Sequence, residues 1–436
     1  MDTLLTAAAT LAFLLLFLGL GVWVFVTLAL VATSALFFLN GMDLSRIGSI
    51  AANIIYRYSA SWELSAIPMF IWMGEIIFRT DISTRLFRGL SPFVDYIPGR
   101  LLHTNVLGCT LFAAVSGSSP ATTATVGRIT TRELGKRGYD DRMSLGSLAG
   151  AGSLGLLIPP SIVMIVYGIL AEQSISRLFA AGVMPGLMIT ALYSGYIMVW
   201  AKMNPAMVPA ARDKRGAMDF VWAIWDLAPL IVLMTIVLGS IYTGIATPSE
   251  AAAVGVIAAI MIAAVTRQLS LTLLRDTLMG ALRTSTMVCS ILITAAFMST
   301  AIGYLHIPAD VAAGIAALQL PPWGLLVVLS LFYLGLGFFL DGTSIIVMSL
   351  PISLPLALQA GFDPIWFGVY LVLMVEMAQV TPPVGFNLFV LQGISGRSIG
   401  YVARAAMPFF VLMLVGVVLL AAFPGIALWL PNYLYG

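Results

Sequence analysis

Two matched interruptions break a chain that is otherwise apolar enough to lie almost wholly in a membrane. The first runs from Ser116-Gly117-Ser118-Ser119-Pro120 to Ile158-Pro159-Pro160 and the second from Asp341-Gly342-Thr343-Ser344 to Thr381-Pro382-Pro383, the proline pairs following the small polar turns at 43 and 41 residues. Backbone that leaves helical geometry at membrane depth exposes N–H and C=O groups that lipid cannot satisfy, so it persists only where protein or a water-filled cavity covers it. Breakage repeated at corresponding places in two halves of a chain points to the binding centre of a secondary transporter.

Composition narrows the class. Of the 436 residues, 60% are hydrophobic and 9% charged, outside the range of soluble globular domains, so the chain reads as an all-α polytopic membrane protein. The formal net charge of +2 arises from basic residues scattered at the ends of apolar runs, and no basic patch is gathered for nucleic acid. Cys109 and Cys289 lie in apolar stretches without metal-ligand spacing and read as small buried hydrophobes, not as a disulfide framework. Met1-Asp2-Thr3 lacks the basic start of a signal peptide, so the first apolar run is expected to remain as a membrane helix. His103 and His306 stand apart from other metal-ligating residues, and no nucleophile–base set, phosphate-cradling loop or dinucleotide fingerprint is visible. Neither an enzyme nor a nucleotide-driven pump is expected.

Apolar runs of spanning length occur at about 4–19, 22–39, 63–79, 143–171, 177–201, 220–243, 247–266, 284–303, 365–393 and 406–430, while runs near 101–136 and 323–359 contain the polar turns. If those two are re-entrant hairpins, each must enter and leave on one side, and the flanking charges agree. Arg79, Arg85, Arg88 and Arg100 precede the first hairpin, and Arg128, Arg132, Lys136, Arg137 and Arg142 lie in or after its return arm, so both its ends are cytoplasmic under the positive-inside rule. On this count eighteen of the twenty-one basic residues fall inside, with Arg46, Arg57 and Arg177 outside. No basic residue lies between His306 and Trp366, which places the ends of the second hairpin outside. The expected organisation is a first repeat at 1–201, a cytoplasmic linker at 202–219 and a second repeat at 220–436. Each repeat has five spans and one hairpin, and because five is odd the halves are inverted, with both termini external. Inverted repeats let one midplane site face either side in turn.

The candidate residues follow from the breaks. Ser116, Gly117, Ser118 and Ser119 form the first tip, where hydroxyls and freed carbonyls are hard oxygen ligands for an alkali cation and a helix N-terminus faces an anion. The alternative is that these hydroxyls, with Thr122, Thr123 and Thr125, only serve helix packing. Pro159 and Pro160 remove donors and clash with the preceding turn, so carbonyls from Gly152 to Leu157 are expected to be freed toward a cation. Their counterpart is Thr381-Pro382-Pro383, followed by Asn387. Asp341 lies at the second tip inside an apolar run; a carboxylate at that depth costs about 2.5–3.5 kcal/mol on insertion scales and usually binds ions, pairs or faces a cavity. Glu376, one turn before the second break, is an orienting partner or a proton carrier. Glu75 is expected to pair with Arg79 at helix spacing, and Thr247-Pro248-Ser249-Glu250 to form a capping box.

At these residues the chain resembles a known family, the large membrane subunit of tripartite ATP-independent periplasmic (TRAP) transporters. The likeness covers nearly the whole length and is densest in FAAVSGSSPATTATVG (Phe112 to Gly127), KRGYDDRMSLGSLAGAGSLGLLIPPSIVMIVYG (Lys136 to Gly168), GIATPSEAAAVG (Gly244 to Gly255) and the stretch from FLDGTSIIVMSLPISLPLALQAGFDPIWFG through EMAQVTPPVGFNLFVLQG (Phe339 to Gly393). The resemblance implies an elevator-type carrier of the bacterial inner membrane, coupled to sodium and without other cofactor. It implies one sodium site at Ser116, Ser118, Ser119 and Gly152, and another at Asp341, Thr343, Thr381 and Pro382. Glu376, Pro159, Pro160 and Pro383 stand in support, and an organic acid is held near Ser118, Ser161 and Asp341. It further implies two partners, a small four-helix membrane subunit and a periplasmic substrate-binding protein. The competing expectation is a single-component sodium- or proton-coupled dicarboxylate carrier; an intramembrane enzyme or a channel is a third class.

Overall fold

A computed structural model describes residues 3–209, 216–307, 321–337, 340–382 and 385–436. Those residues form α-helices joined by short turns, with no strand among them. In the first half, α1 (Thr3–Gly19) and α2 (Val24–Ser34, continued by a π turn at Ala35–Leu39) are followed by α3 (Leu44–Ser59), α4 (Ala66–Phe78) and α5 (Ile82–Val94). A hairpin of α6 (His103–Ser116) and α7 (Ser119–Lys136) comes next. The broken helix is α8 (Asp141–Ser153), a 3-10 turn (Leu154–Leu156) and α9 (Ile162–Leu170), and α10 (Ile175–Met203) closes the half. The second half opens with α11 (Ala217–Tyr242), α12 (Pro248–Val265) and α13 (Leu271–Tyr304). A hairpin of α14 (Pro322–Leu336) and α15 (Gly342–Gln359) precedes the broken pair α16 (Pro364–Gln379) and α17 (Phe386–Ser395), then α18 (Ile399–Ala422) and α19 (Gly425–Tyr435).

Six of the described helices are long and apolar enough to cross a membrane alone. The 16- and 10-residue pieces either side of Thr381-Pro382 are each too short to do so, as a span needs about 20 residues. Three boundaries differ from the sequence reading. The run expected at 406–430 is two helices, because Pro424 has no N–H to continue the ladder and disfavours helical geometry in the residue before it. The span expected at 284–303 is the end of a 34-residue helix, about 50 Å long at 1.5 Å per residue, whose first turns carry Arg275, Asp276 and Arg283. Helices α3 and α5 are amphipathic and were passed over by a search for continuous apolar runs; α3 buries Ile47 and is started by the Asp43 carboxylate accepting from the Arg46 amide. Pro383 and residues 210–215 of the linker lie outside the described residues.

Packing sorts the helices. One group joins α2, α4 and α5 to α11, α12 and α13, and a second joins both hairpins and both broken helices to α10, α18 and α19. Within the second group, α7 of the first hairpin packs on α17, and α15 of the second hairpin packs on α9. Each returning arm therefore rests on the segment that follows the other half's break. Surface contacts include Arg57 with Glu172 at 3.4 Å, Arg88 with Asp226 at 3.6 Å, Arg397 with Asp141 at 2.9 Å, and the Arg177 guanidinium with the Tyr435 carbonyl at 3.1 Å. Glu75 and Arg79 pair at 3.2 Å, and Thr247 and Glu250 cap each other reciprocally.

A close helix contact uses Gly146 and Gly150, four residues apart on α8 and facing α18. A Cβ on Gly146 would collide with the Ala405 carbonyl, and one on Gly150 would stand 2.6 Å from Cβ of Phe409. Small residues at this spacing let two backbones approach where no hydrophobic force drives helices together in lipid. Gly146→Leu should push α8 away from α18 and lower the unfolding midpoint in detergent, by the equivalent of about 1–3 kcal/mol of overpacking. Gly135→Leu, where a Cβ meets nothing within 4 Å, should leave it unchanged, and equal effects of the two would contradict the contact.

Candidate functional site

The first tip is built by a reversal that only a small residue permits. Gly117 ends α6 with φ +57°, and a Cβ there would stand 3.2 Å from the Pro160 carbonyl oxygen, so the tip is pressed directly onto the first break. Ser116 Oγ lies 2.6 Å from Thr122 Oγ1 and accepts the Ser118 amide at 3.1 Å, closing the turn. Ser118 starts α7 with a side chain that caps nothing. Ser161, fully buried, caps α9 by accepting the Met164 amide at 3.3 Å.

Ser119 carries the contact between halves. Its hydroxyl donates to the Gly152 carbonyl at 3.1 Å and accepts from the Asn387 side-chain amide at 2.7 Å. Gly152 has to lack a side chain, since a Cβ would collide with the Thr123 hydroxyl, which itself donates to the Ser119 carbonyl at 3.0 Å. The structure thus brings Ser116, Ser118, Ser119 and Gly152 to one place, beside Pro159, Pro160 and Ser161. It also revises what the first break exposes. Carbonyls alone were expected to be freed, yet the break leaves the Leu156 N–H to be taken by the Glu376 carboxylate at 2.7 Å, from 220 residues away. Glu376 is 1% exposed.

The second tip is organised differently. Asp341 caps α15, its Oδ2 accepting the amides of Thr343 at 3.1 Å and Ser344 at 3.4 Å, and its Oδ1 accepting the Ser344 hydroxyl. A capping duty for this acid was not anticipated from its depth. Gly342 is wedged between Val375, Gln379 and Leu156, at 2.8, 2.9 and 3.1 Å from a Cβ built on it. Thr381 turns its hydroxyl back onto the Met377 carbonyl at 2.6 Å, and Pro382 is exposed. Among the described residues no hydrogen bond joins Asp341 or Thr343 to Thr381 or Pro382; the second tip meets the break through Gly342.

Asn387 and Gln379 are central here and were not among the candidate ligands. The available signal was a polar amide inside an apolar helical run on either side of a proline pair. Two cavities lie on the face of Arg57: one of about 590 Å³ lined by Arg57, Trp62, Glu172 and Thr247, and one of about 230 Å³ between α13 and α15 lined by Ser299, Thr300, Leu350 and Pro351. Tyr58 lines both. As a donor set for a cation the centre fits an alkali ion, because every side-chain and carbonyl ligand it offers is oxygen, and no group of His, Cys, Asp and Glu suited to a metal ion occurs among the described residues.

Residues 11–426 match the profile of a family described as the tripartite ATP-independent periplasmic transporter, DctM component. The chain belongs to that family. A relative described as a C4-dicarboxylate TRAP transporter large permease protein from Pseudomonas aeruginosa is 36% identical, over 87% of this chain and 88% of its own length. An isethionate TRAP transporter permease from Oleidesulfovibrio alaskensis is 32% identical over 95% of this chain and 64% of its own length. The fold is similar to that of the Alcanivorax borkumensis YdaH transporter, with a TM-score of 0.66, 14% identity, and coverage of 89% of this chain and 91% of that one. This TRAP permease is accordingly a multi-pass inner-membrane transport protein and not an enzyme.

Ser119→Ala removes a hydroxyl shared by the Gly152 carbonyl and the Asn387 amide and leaves the buried Asn387 amide without that partner, at about 1–3 kcal/mol. The unfolding midpoint of the purified permease should fall clearly. Ser118→Ala should leave it nearly unchanged; the reverse order of sensitivity would contradict the bridge.

Proposed function

We propose that this chain is the large permease of a sodium-coupled TRAP system that imports a small organic acid delivered by a periplasmic binding protein, by an elevator motion. The observation that carries the reading is the meeting of the first tip, both breaks and Gly342 of the second tip at one buried centre contributed by both halves. A site built this way changes its exposure only if both hairpins and both broken helices move together. The packing supports that division: the hairpins and broken helices form one group with α10, α18 and α19, and the other helices form the frame beside it. The same division supports drawing a scaffold and a transport unit from each of the two repeats, at 1–201 and 220–436.

The substrate class rests on charge. Two of the relatives are named for C4-dicarboxylate and for isethionate, both small organic anions. At the first tip, α7 starts at Ser119 with no side-chain cap, so its N-terminal dipole faces the space beside Ser118 and Ser161. At the second tip, the carboxylate of Asp341 already occupies the start of α15. The anion is therefore assigned to Ser118 and Ser161, with Asp341 holding a cation next to it. Sodium at the first site would use Ser116, Ser118, Ser119 and Gly152; sodium at the second would use Asp341, Thr343, Thr381 and Pro382. What a sodium ion supplies is positive charge beside the acid and a gradient to draw on. The relative whose name joins M and Q supports a small membrane subunit as partner.

Reconstitution with the small subunit tests this. Labelled organic-acid uptake should require both an inward sodium gradient and the binding protein; gradient-driven uptake without the binding protein would favour a single-component carrier instead. Asp341→Asn sharpens the test, because asparagine caps a helix about as well as aspartate. It should leave folding intact and reduce uptake by at least about tenfold, as expected for a lost ion ligand. Full activity in this variant would confine Asp341 to capping.

A further inference from the structure

Between α11 and α12, among the frame helices, lies an apolar slot of about 320 Å³. Its walls are Pro229, Val232 and Ile236 of α11 and Ala258, Ile262 and Val265 of α12. Ala258 is too small to close the gap, and Pro229 removes one hydrogen bond from the ladder of α11 where the helices pass. The slot has a definite depth. Trp225, at its mouth, lies 17 residues before the end of α11, and Val265 lies 17 residues after the start of α12. The short turn joining the two helices makes them antiparallel, so these residues stand level. From Trp225 down to Ile236 is about 16 Å at 1.5 Å per residue, close to half of a hydrocarbon core about 30 Å thick. The slot therefore spans one leaflet.

The mouth is positive. Arg85 of α5 lines it together with Trp225 and Thr266. Its guanidinium donates from Nε to Asp81 Oδ2 at 3.0 Å, and among the described residues its terminal nitrogens make no hydrogen bond. Asp81 is held from its other side by Gln268, which accepts the Asp81 amide at 2.8 Å and donates to Oδ1. The arginine is thus fixed by its inner edge, with its outer fork left for another acceptor. Arg267 follows Thr266, is exposed, and takes part in no ion pair among the described residues. Both arginines fall on the side that the distribution of basic residues assigns to the cytoplasm.

We propose that this slot holds one anionic phospholipid of the cytoplasmic leaflet, with an acyl chain between α11 and α12 and the phosphodiester at Arg85 and Arg267. Left empty, the walls would forgo dispersion contacts that a hydrocarbon chain supplies. Spread over its length the volume leaves a gap narrower than the roughly 10–12 Å diameter of another helix, so a chain enters where a partner's span does not. The planar fork of Arg85 matches two oxygens of a phosphodiester, and basic pockets between spans on the cytoplasmic side are suited to anionic headgroups. Trp225 sits where an interfacial aromatic ring belongs. Because α5, α11 and α12 belong to the frame, the lipid braces the part that stays still. The inference requires only that the chain spans a membrane and owes nothing to the transport reading.

Lipid titration of the full-length permease in detergent, read as the unfolding midpoint, tests the site. Phosphatidylglycerol should raise the midpoint saturably. Phosphatidylcholine, with the same phosphodiester beside a compensating cation, should act far more weakly, and inorganic phosphate should not act at all. Arg85→Gln should raise the half-saturating phosphatidylglycerol concentration about tenfold and Arg267→Gln, at a more exposed position, about threefold. Val232→Trp, which fills the slot from its exposed wall, should abolish the response without lowering the lipid-free midpoint. Arg88→Gln, which removes a nearby charge outside the slot, should leave the response unchanged. Equal stabilisation by both lipids, an undiminished response in Val232→Trp, or a full response to inorganic phosphate would each overturn the proposal. So would displacement of the lipid by the small membrane subunit, with Val232→Trp blocking assembly, since the slot would then belong to that partner. If Arg85→Gln fails to fold for want of its pairing with Asp81, Arg267→Gln and Val232→Trp decide.

Discussion

The fold depends on satisfying broken backbone where there is no water to do it. Helix α8 cannot run on through Pro159-Pro160, and near its end the Leu156 amide and the Gly152 carbonyl take partners where lipid offers none. Both are answered from outside their own helix: the amide by Glu376 and the carbonyl by Ser119, which also receives Asn387. Two of these three partners belong to the other half of the chain. A break that would destabilise an isolated helix becomes, in this arrangement, the reason the halves must associate.

That dependence explains the cross-packing. If each break had been closed by its own hairpin alone, the two halves could move past one another without cost. Instead α7 lies on α17 and α15 on α9, and Gly342 is wedged against residues of both α16 and the first break. Moving the first hairpin alone would part the Ser119 hydroxyl from the Gly152 carbonyl and the Asn387 amide. The energetic unit is thus the whole group of hairpins and broken helices, while the frame helices meet it over mostly apolar faces.

Much of this was legible in the sequence, because its signals were those that lipid enforces most strictly. Apolar length located most of the long helices, and the proline pairs located the two breaks. The failures have equally physical causes. Helices α3 and α5 are amphipathic and lie outside any continuous apolar run, and Phe423-Pro424 splits a run whose hydropathy shows no gap. For the centre, sequence spacing brought out Ser116, Ser119 and Gly152, which are local to one half. It could not show that Glu376 reaches Leu156 or that Asn387 reaches Ser119, because nothing in the spacing of 220 or 268 residues encodes a contact. The capping role of Asp341 was hidden for a different reason: an acid at membrane depth and an acid at a helix start look the same until the helix boundary is known.

The two tips differ in charge, and that difference gives the centre a polarity. Both are starts of 18-residue returning helices, so both present partial positive charge. At the second tip Asp341 cancels it and leaves a net negative position; at the first, Ser118 leaves it uncancelled. Under the proposed reading, an acid would go to the side of Ser118 and Ser161 and a cation to the side of Asp341, without any basic side chain. An arginine there would bind the acid more tightly, but it would also compete with the cation for the carboxylates and remove the requirement for one. Under the proposed reading, a centre without a fixed positive side chain would be completed by a bound cation.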